Sequence, residues 1–284
     1  MFNTFTKTQD LKPFTKWVGG KRQLLTNLKD LLPKSFNNYY EPFIGGGALL
    51  FELAPKSAII NDYNDELINV YRTIKEAPTE LIELLQKHQD NNSKDYYLDL
   101  RSVDRDGRIG KMTDAERAAR TLYMLKVDFN GIYRVNSKGQ FNVPYGRYKN
   151  PKIVDKENLI TVHNYLKNND VQIFNGDFEN CLKSAKKDDL VYFDPPYIPL
   201  TETANFTSYT KTGFDIYDQE RLRDVFFSLS KKGVKVMLSN SDTPTTRSLY
   251  EGANIHEVKA TRMVNSNAKK RGKVGELIIT SYEV

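Results

Sequence analysis

The chain has a single cysteine, Cys181, so no disulfide can close within it, and its three histidines (His88, His163, His256) lack metal-ligand spacing. No apolar run approaches the roughly 18 residues of a membrane span, and the N-terminus has no hydrophobic signal region. Internal repeats and low-complexity linkers are also missing. The phosphate-loop spacing is absent, because Lys21 after Gly19 and Gly20 is followed by Arg22 rather than Ser or Thr. Gly45, Gly46 and Gly47 lack the third glycine of the dinucleotide fingerprint. A reducing, cytoplasmic compartment is expected, with no metal and no membrane.

What is present is positive charge, unevenly placed. The 284 residues carry 42 Lys and Arg against 36 Asp and Glu, a formal charge of +6. Residues 11–34 hold six basic residues and one acid, residues 126–152 again six and one, and residues 259–273 six and none. These windows sum to +16, so the remainder carries −10. Solvated surface lysines are the plain reading. Basic segments concentrated on an acidic body are also the footprint of a face that binds a polyanion.

Residues 190–197 (LVYFDPPY) organise the rest. Four apolar or aromatic residues read as a buried strand, and two prolines that cannot donate to a ladder force the backbone out of the sheet at Asp194. Open α/β sheets place ligands at such carboxyl ends. An Asp-Pro turn alone is common. The full run has a chemical reading: the lone pair of an exocyclic adenine amine is delocalised into its ring, and two acceptors on its N–H groups localise it. Asp194 and the rigid Pro195 carbonyl supply two acceptors, and Tyr197 offers a face for a base.

Upstream, residues 39–44 read as a strand feeding Gly45, Gly46 and Gly47 and then an apolar helix, the nucleotide-binding arrangement of strand, glycine turn and helix. The next strand, residues 58–62, ends in Asp62, 17 residues beyond Gly45, where a carboxylate can hold ribose hydroxyls; a helix cap is the competing role. Residues 66–127 are helical, with a charged loop at 102–110, and read as scaffold. Residues 132–136 and 140–143 flank the polar turn 137–139, a hairpin signal. A basic ribbon fits a major groove, where Arg and Asn pair with guanine and adenine, although hairpins with an arginine are ordinary. Residues 171–174, 234–238 and 277–282 read as further strands, residues 200–215 as a mobile loop over the site, and residues 265–273 as a basic loop and second clamp on a polyanion.

Residues 194–197 (DPPY) match the catalytic motif of amino-group DNA methyltransferases, and residues 41–47 (EPFIGGG) resemble their cofactor loop. With residues 14–21 (FTKWVGGK) and 129–136 (FNGIYRVN), nearly the whole chain resembles the Dam-type adenine-N6 methyltransferases, in the family's motif order. The likeness is strongest to GATC methylases of Dpn-type restriction and modification systems.

The resemblance implies an α/β fold, a Rossmann-like class I methyltransferase sheet with helices on both faces, plus an inserted helical and β-hairpin DNA-recognition domain. Residues 1–70 would form the first part of the catalytic domain, 71–165 the insertion, and 166–284 the second part. It implies methyl transfer from S-adenosylmethionine to N6 of a flipped adenine in double-stranded DNA, as a solitary methylase or beside a cognate restriction endonuclease. Catalysis would fall to Asp194, Pro195, Pro196 and Tyr197. Cofactor binding would fall to Trp17, Lys21, Phe43, Gly45, Gly47, Asp62, Asp177 and Asp194, and DNA contact to Lys16, Asn130, Ile132, Arg134, Asn136, Pro144 and Tyr148. N4-cytosine or RNA adenine methylation, or an inactive DNA-binding protein, are the alternative readings.

Overall fold

The computed structural model describes residues 11–199, 214–261 and 273–284. Their centre is a seven-stranded sheet of β1 (Tyr39–Glu41), β2 (Ser57–Asp62), β3 (Asp170–Asn175), β4 (Leu190–Phe193), β5 (Lys235–Ser241), β6 (Asn254–Thr261) and β7 (Lys273–Thr280). The spatial order is β3-β2-β1-β4-β5-β7-β6; the first five are parallel, and β7 runs antiparallel to both β5 and β6. Strand order reverses between β1 and β4, and a parallel sheet opens its ligand crevice at that switch point.

Successive side chains of a strand point to opposite faces, so a sheet covered on both sides needs unbroken apolar strands. Leu190 and Tyr192 of β4 join one hydrophobic cluster with Tyr39, Ile60, Met237 and Ile278. Val191 and Phe193 join the other with Tyr40, Ile59, Val236, Leu238 and Leu277. The first face is covered by α1 (Leu25–Asp30), α2 (Ala48–Leu53), α3 (Asp65–Glu76) and α7 (Lys156–Asn168), and the second by α8 (Ile216–Lys231) with α9 (Pro244–Leu249).

Between α3 and α7 lie α4 (Pro78–Asp90), α5 (Lys94–Ser102) and α6 (Asp114–Val127). Proline suits the first turn of α4, where its missing N–H has no helical partner. Thr113 and Glu116 cap α6 reciprocally. Leu81, Leu85, Tyr97, Ala118 and Leu122 of these helices share the first cluster with Leu49 and Tyr71, so this segment is continuous with the core. Among the described residues no helix is long and apolar enough to cross a membrane.

Two local expectations change. The strand expected over 39–44 stops at Glu41, because Pro42 cannot continue a ladder. The hairpin flanking residues 137–139 has no regular strands and is joined by the isolated bridge Val135 to Phe141. The loop expected over 200–215 lies outside the described residues except for 214 and 215, and so does most of the basic loop at 265–273.

Candidate active site

Three neighbouring parallel strands end in carboxylates along one edge of the sheet. Glu41 closes β1, Asp62 closes β2, and Asp194 follows β4 directly. A fourth, Glu276, arrives from the antiparallel β7 opposite Ser241 at the end of β5. Lys21 is buried among them, with its Nζ 2.8 Å from Asp194 Oδ1, 2.8 Å from the Gly19 carbonyl and 4.4 Å above the centre of the Tyr197 ring. The Lys21 to Asp194 contact is a largely buried ion pair.

Burial pushes the Asp194 carboxyl up to about 6; Lys21 pulls it down and Glu276 pushes it up. About 18 % of the Asp194 side chain still reaches solvent, so it remains accessible from one side. The chain after Asp194 is held from two elements. Gln219 of α8 donates to the Pro196 carbonyl at 2.8 Å, and Asn240 of β5 donates to Gln219 and accepts from the Ile198 N–H at 3.1 Å. Tyr197 donates its hydroxyl to Glu276 Oε2 at 3.1 Å, which fixes the tilt of its ring.

The glycine loop is shaped by what stands behind it. Gly47 has φ +70°, and a Cβ there would lie 2.6 Å from the Tyr71 hydroxyl and 2.9 Å from the Phe51 ring. At Gly45, φ +48°, a Cβ would meet Trp17 at 3.0 Å. Asp62 binds the loop itself, accepting the Gly45 N–H at 3.0 Å through Oδ2 and the Asn64 N–H at 2.9 Å through Oδ1. The cap of α3 is Asn64, which accepts from the Leu67 N–H. Asp62 is therefore not the cap. Burial pushes its carboxyl to about 6, against the pull of the backbone N–H groups.

Phe43 stacks on Phe178 at 5.3 Å and meets Phe193 and Phe214 edge-on. Asp177, at the outer end of β3, pairs with Arg221 at 2.8 Å, and the same guanidinium lies 4.6 Å over Phe178.

The model of the D12 class N6 adenine-specific DNA methyltransferases matches residues 17–264. The chain belongs to that family. It is 62% identical over 273 residues to Type II methyltransferase M1.LlaDCHI of Lactococcus lactis subsp. cremoris, covering 96% of each chain. It is 43% identical over 291 residues to Type II methyltransferase M.MjaIII of Methanocaldococcus jannaschii, covering 96% of this chain and 100% of the relative. To the DNA adenine methylase of Escherichia coli it is 33% identical over 270 residues, covering 94% of each.

In this adenine-N6 DNA methyltransferase, the segment around Lys16 and Trp17 joins the carboxylate edge to the hairpin. Trp17 stacks on Tyr133 at 5.3 Å, while exposed Lys16 lays its stem along Gly131. Asn130 adopts φ +69° and is exposed, as are Arg134, Pro144 and Tyr148; Ile132 is half-buried. Asn136 shapes the turn: its Oδ1 accepts the Lys138 and Gln140 N–H groups and its amide donates to Gln140. Arg134 reaches across to Asn142, its Nε 2.7 Å from Oδ1. Phe129, absent from the expected set, exposes 53% of its surface beside Asn130.

Sequence reasoning also missed Glu276, Gln219 and Asn240, which support residues 196–198 from 23 to 79 positions away. Glu41 was missed as a site group. Its carboxyl is pushed well above the usual range by burial, and it accepts the Tyr39 hydroxyl at 2.8 Å.

These positions predict a pH dependence with opposite signs for activity and stability. If Asp194 acts on the amine as its anion, kcat/KM for methylation should rise with pH and level off above about 6. The groups facing it are Lys21, Glu276, Glu41, Asp62, Tyr192 and Tyr197. The unfolded carboxylates titrate near about 4. Between pH 4 and 6 the fold therefore holds protons at Asp62 and Asp194 that the unfolded chain has released. The stability they contribute, of order 3 kcal/mol each, is full below pH 4 and lost as pH rises to 6. Melting curves and methylation rates over pH 4.5 to 8 check both signs.

Proposed function

We propose that this methyltransferase takes its methyl group from S-adenosylmethionine and delivers it to N6 of adenine within GATC in duplex DNA, in the cytoplasm. The observation that carries the reading is the meeting of Asp194, the Tyr197 face and the glycine loop at the switch point of the sheet. The glycine loop fits the donor, because Trp17, Tyr71 and Phe51 packed behind Gly45 and Gly47 leave no room for a Cβ and hold the bare backbone at positive φ, where it can lie against a ligand. Gly45, Gly47, Trp17, Phe43, Asp62 and Asp177 would hold its nucleoside, and Lys21 its carboxylate. S-adenosylmethionine, when bound, supplies a methyl group made electrophilic by a sulfonium.

The rest is done by the chain. Asp194 accepts a hydrogen bond from the adenine amine, localises its lone pair and meets the positive charge that grows on nitrogen. The Pro195 carbonyl takes the second N–H, and Tyr197 stacks on the base. Removing the base from the duplex costs a few kcal/mol. Lys16 and the hairpin bear that cost through phosphate and base contacts. Arg134 reads a guanine edge, and Asn130, Ile132, Asn136, Pro144 and Tyr148 lie along the DNA. The exposed Phe129 ring suits a wedge between base steps. Residues 71–165 form the recognition segment, and relatives named Type II methyltransferases support a role beside a restriction endonuclease.

The test is transfer of labelled methyl from S-adenosylmethionine to duplexes carrying GATC or its single-base variants, with the product nucleoside identified. Label in cytosine, in RNA alone or in no substrate overturns the reading. Asp62→Ala should weaken S-adenosylmethionine binding by about 1.5 to 3 kcal/mol, the value of a charged acceptor. Equilibrium titration decides it, and an unchanged dissociation constant would confine Asp62 to shaping the loop.

A further inference from the structure

The hairpin's outer arm is held by side chains where a neighbouring strand would be. The Phe141 N–H donates to Asp104 Oδ2 at 2.8 Å, and the Phe141 carbonyl accepts from Arg105 Nη2 at 2.5 Å. One acid and one base thus satisfy both backbone groups of one residue, the work a paired strand ordinarily does. Two positions on, the Val143 carbonyl accepts from the Tyr97 hydroxyl at 2.9 Å and from Arg101 at 3.0 Å. Asp104 is itself fixed by Arg120 at 3.1 Å, a buried guanidinium whose Nε is tied to the Leu100 carbonyl. The arm is therefore clamped to the core at 141 and 143, and residue 142 lies between the clamps.

Asn142 faces Arg134 across the hairpin. Its Oδ1 accepts from Arg134 Nε at 2.7 Å, its carbonyl accepts from Nη2 at 3.3 Å, and its own N–H donates to the Arg134 carbonyl at 3.1 Å. A guanidinium has five N–H groups in a rigid plane. Asn142 takes the side edge made by Nε and Nη2, which leaves the end edge made by Nη1 and Nη2. A planar pair of N–H donors is what the O6 and N7 of guanine accept.

We infer that Asn142 and Asp104 are positioning residues for base recognition: Asp104 clamps the hairpin arm to the core, and Asn142 on that arm holds the Arg134 guanidinium with its end edge toward the DNA. This deepens the proposed function and rests on its reading of Arg134 as the side chain that meets a base.

The experiment is methylation kinetics at fixed salt on the target duplex and its single-base variants, for Arg134→Ala, Asn142→Leu, Asp104→Asn and the double variant Arg134→Ala/Asn142→Leu. Arg134→Ala should lower kcat/KM on the target by about 5- to 150-fold and relax discrimination at one base pair. Asn142→Leu and Asp104→Asn should relax the same base pair by roughly fivefold, through KM rather than kcat, with rates on the variant duplex at that pair little changed. In the double variant Asn142→Leu should add less than about twofold to Arg134→Ala, because residues acting through one group are not additive.

If Arg134→Ala relaxes its base pair and Asn142→Leu does not, or if the two add fully, the positioning role is overturned while the reading of Arg134 stands. If Arg134→Ala lowers all duplexes equally, the reading of Arg134 falls and the positioning role with it. Should Asp104→Asn fail to fold, as a melting curve would show, the half-buried Asn142 decides alone.

Discussion

Asp194→Ala is expected to remove methyl transfer by a factor of at least about a hundred to a thousand, the range seen when one preorganised group facing a developing charge is deleted. Dissociation constants for S-adenosylmethionine and duplex DNA should move by only a few-fold. The asymmetry follows from when the carboxylate acts: adenine's amine is nearly neutral in the ground state and carries positive charge only as the new bond forms, so the interaction is made chiefly in the transition state. Asp194→Asn, which keeps an acceptor and drops the charge, should fall between the two. Single-turnover kinetics with saturating donor and DNA provide the measurement. Turnover by Asp194→Ala within tenfold of the parent would sink the role. A loss confined to KM would move Asp194 from chemistry to binding.

The second large effect is expected at Gly47. Gly47→Ala should weaken S-adenosylmethionine binding at least about tenfold and lower the melting temperature, for two separable reasons. A residue with a Cβ held at φ +70° is strained by about 1 to 2 kcal/mol. The new methyl would also lie 2.6 Å from the Tyr71 hydroxyl, and Tyr71 is fully buried and donates to the Gly45 carbonyl at 3.0 Å, so pushing it aside drags the loop. Adding Tyr71→Phe to Gly47→Ala removes the hydroxyl and should recover part of the stability while leaving the dihedral strain. Calorimetric titration of the single and double variants tests this. An unaltered donor affinity in Gly47→Ala would show that the loop does not cradle the donor.

Much of the fold was legible because its signals are local. β4 reads as buried from four successive apolar residues, and the turn at Asp194 follows from the prolines that succeed it. Asp62 was legible as a carboxylate at the end of a strand, where β2 closes, and Asn64 caps the helix that follows. What supports these residues was not legible. Glu276 meets Tyr197 across 79 positions, and Asp104 meets Phe141 across 37, with no motif linking either pair. The charged loop at 102–110 read as scaffold because its charges look solvated in a linear string. In the fold, Asp104 and Arg105 turn inward onto the hairpin, and Arg108 binds Asp99 and Asp106 outside. Composition records that charges are present, whereas which of them face inward depends on how α5 and α6 pack.

The antiparallel β7 has a consequence in the order of synthesis. The chain leaves the ribosome from its N-terminus, so Lys21, the glycine loop, Asp62 and the motif of residues 194–197 are all made before the strand that anchors Tyr197. A nascent chain stopped short of residue 273 already contains Lys21, the glycine loop, Asp62 and Asp194, yet its Tyr197 hydroxyl has not met Glu276. In chain order, β7 between β5 and β6 is thus the last piece of the support under Tyr197 to be made.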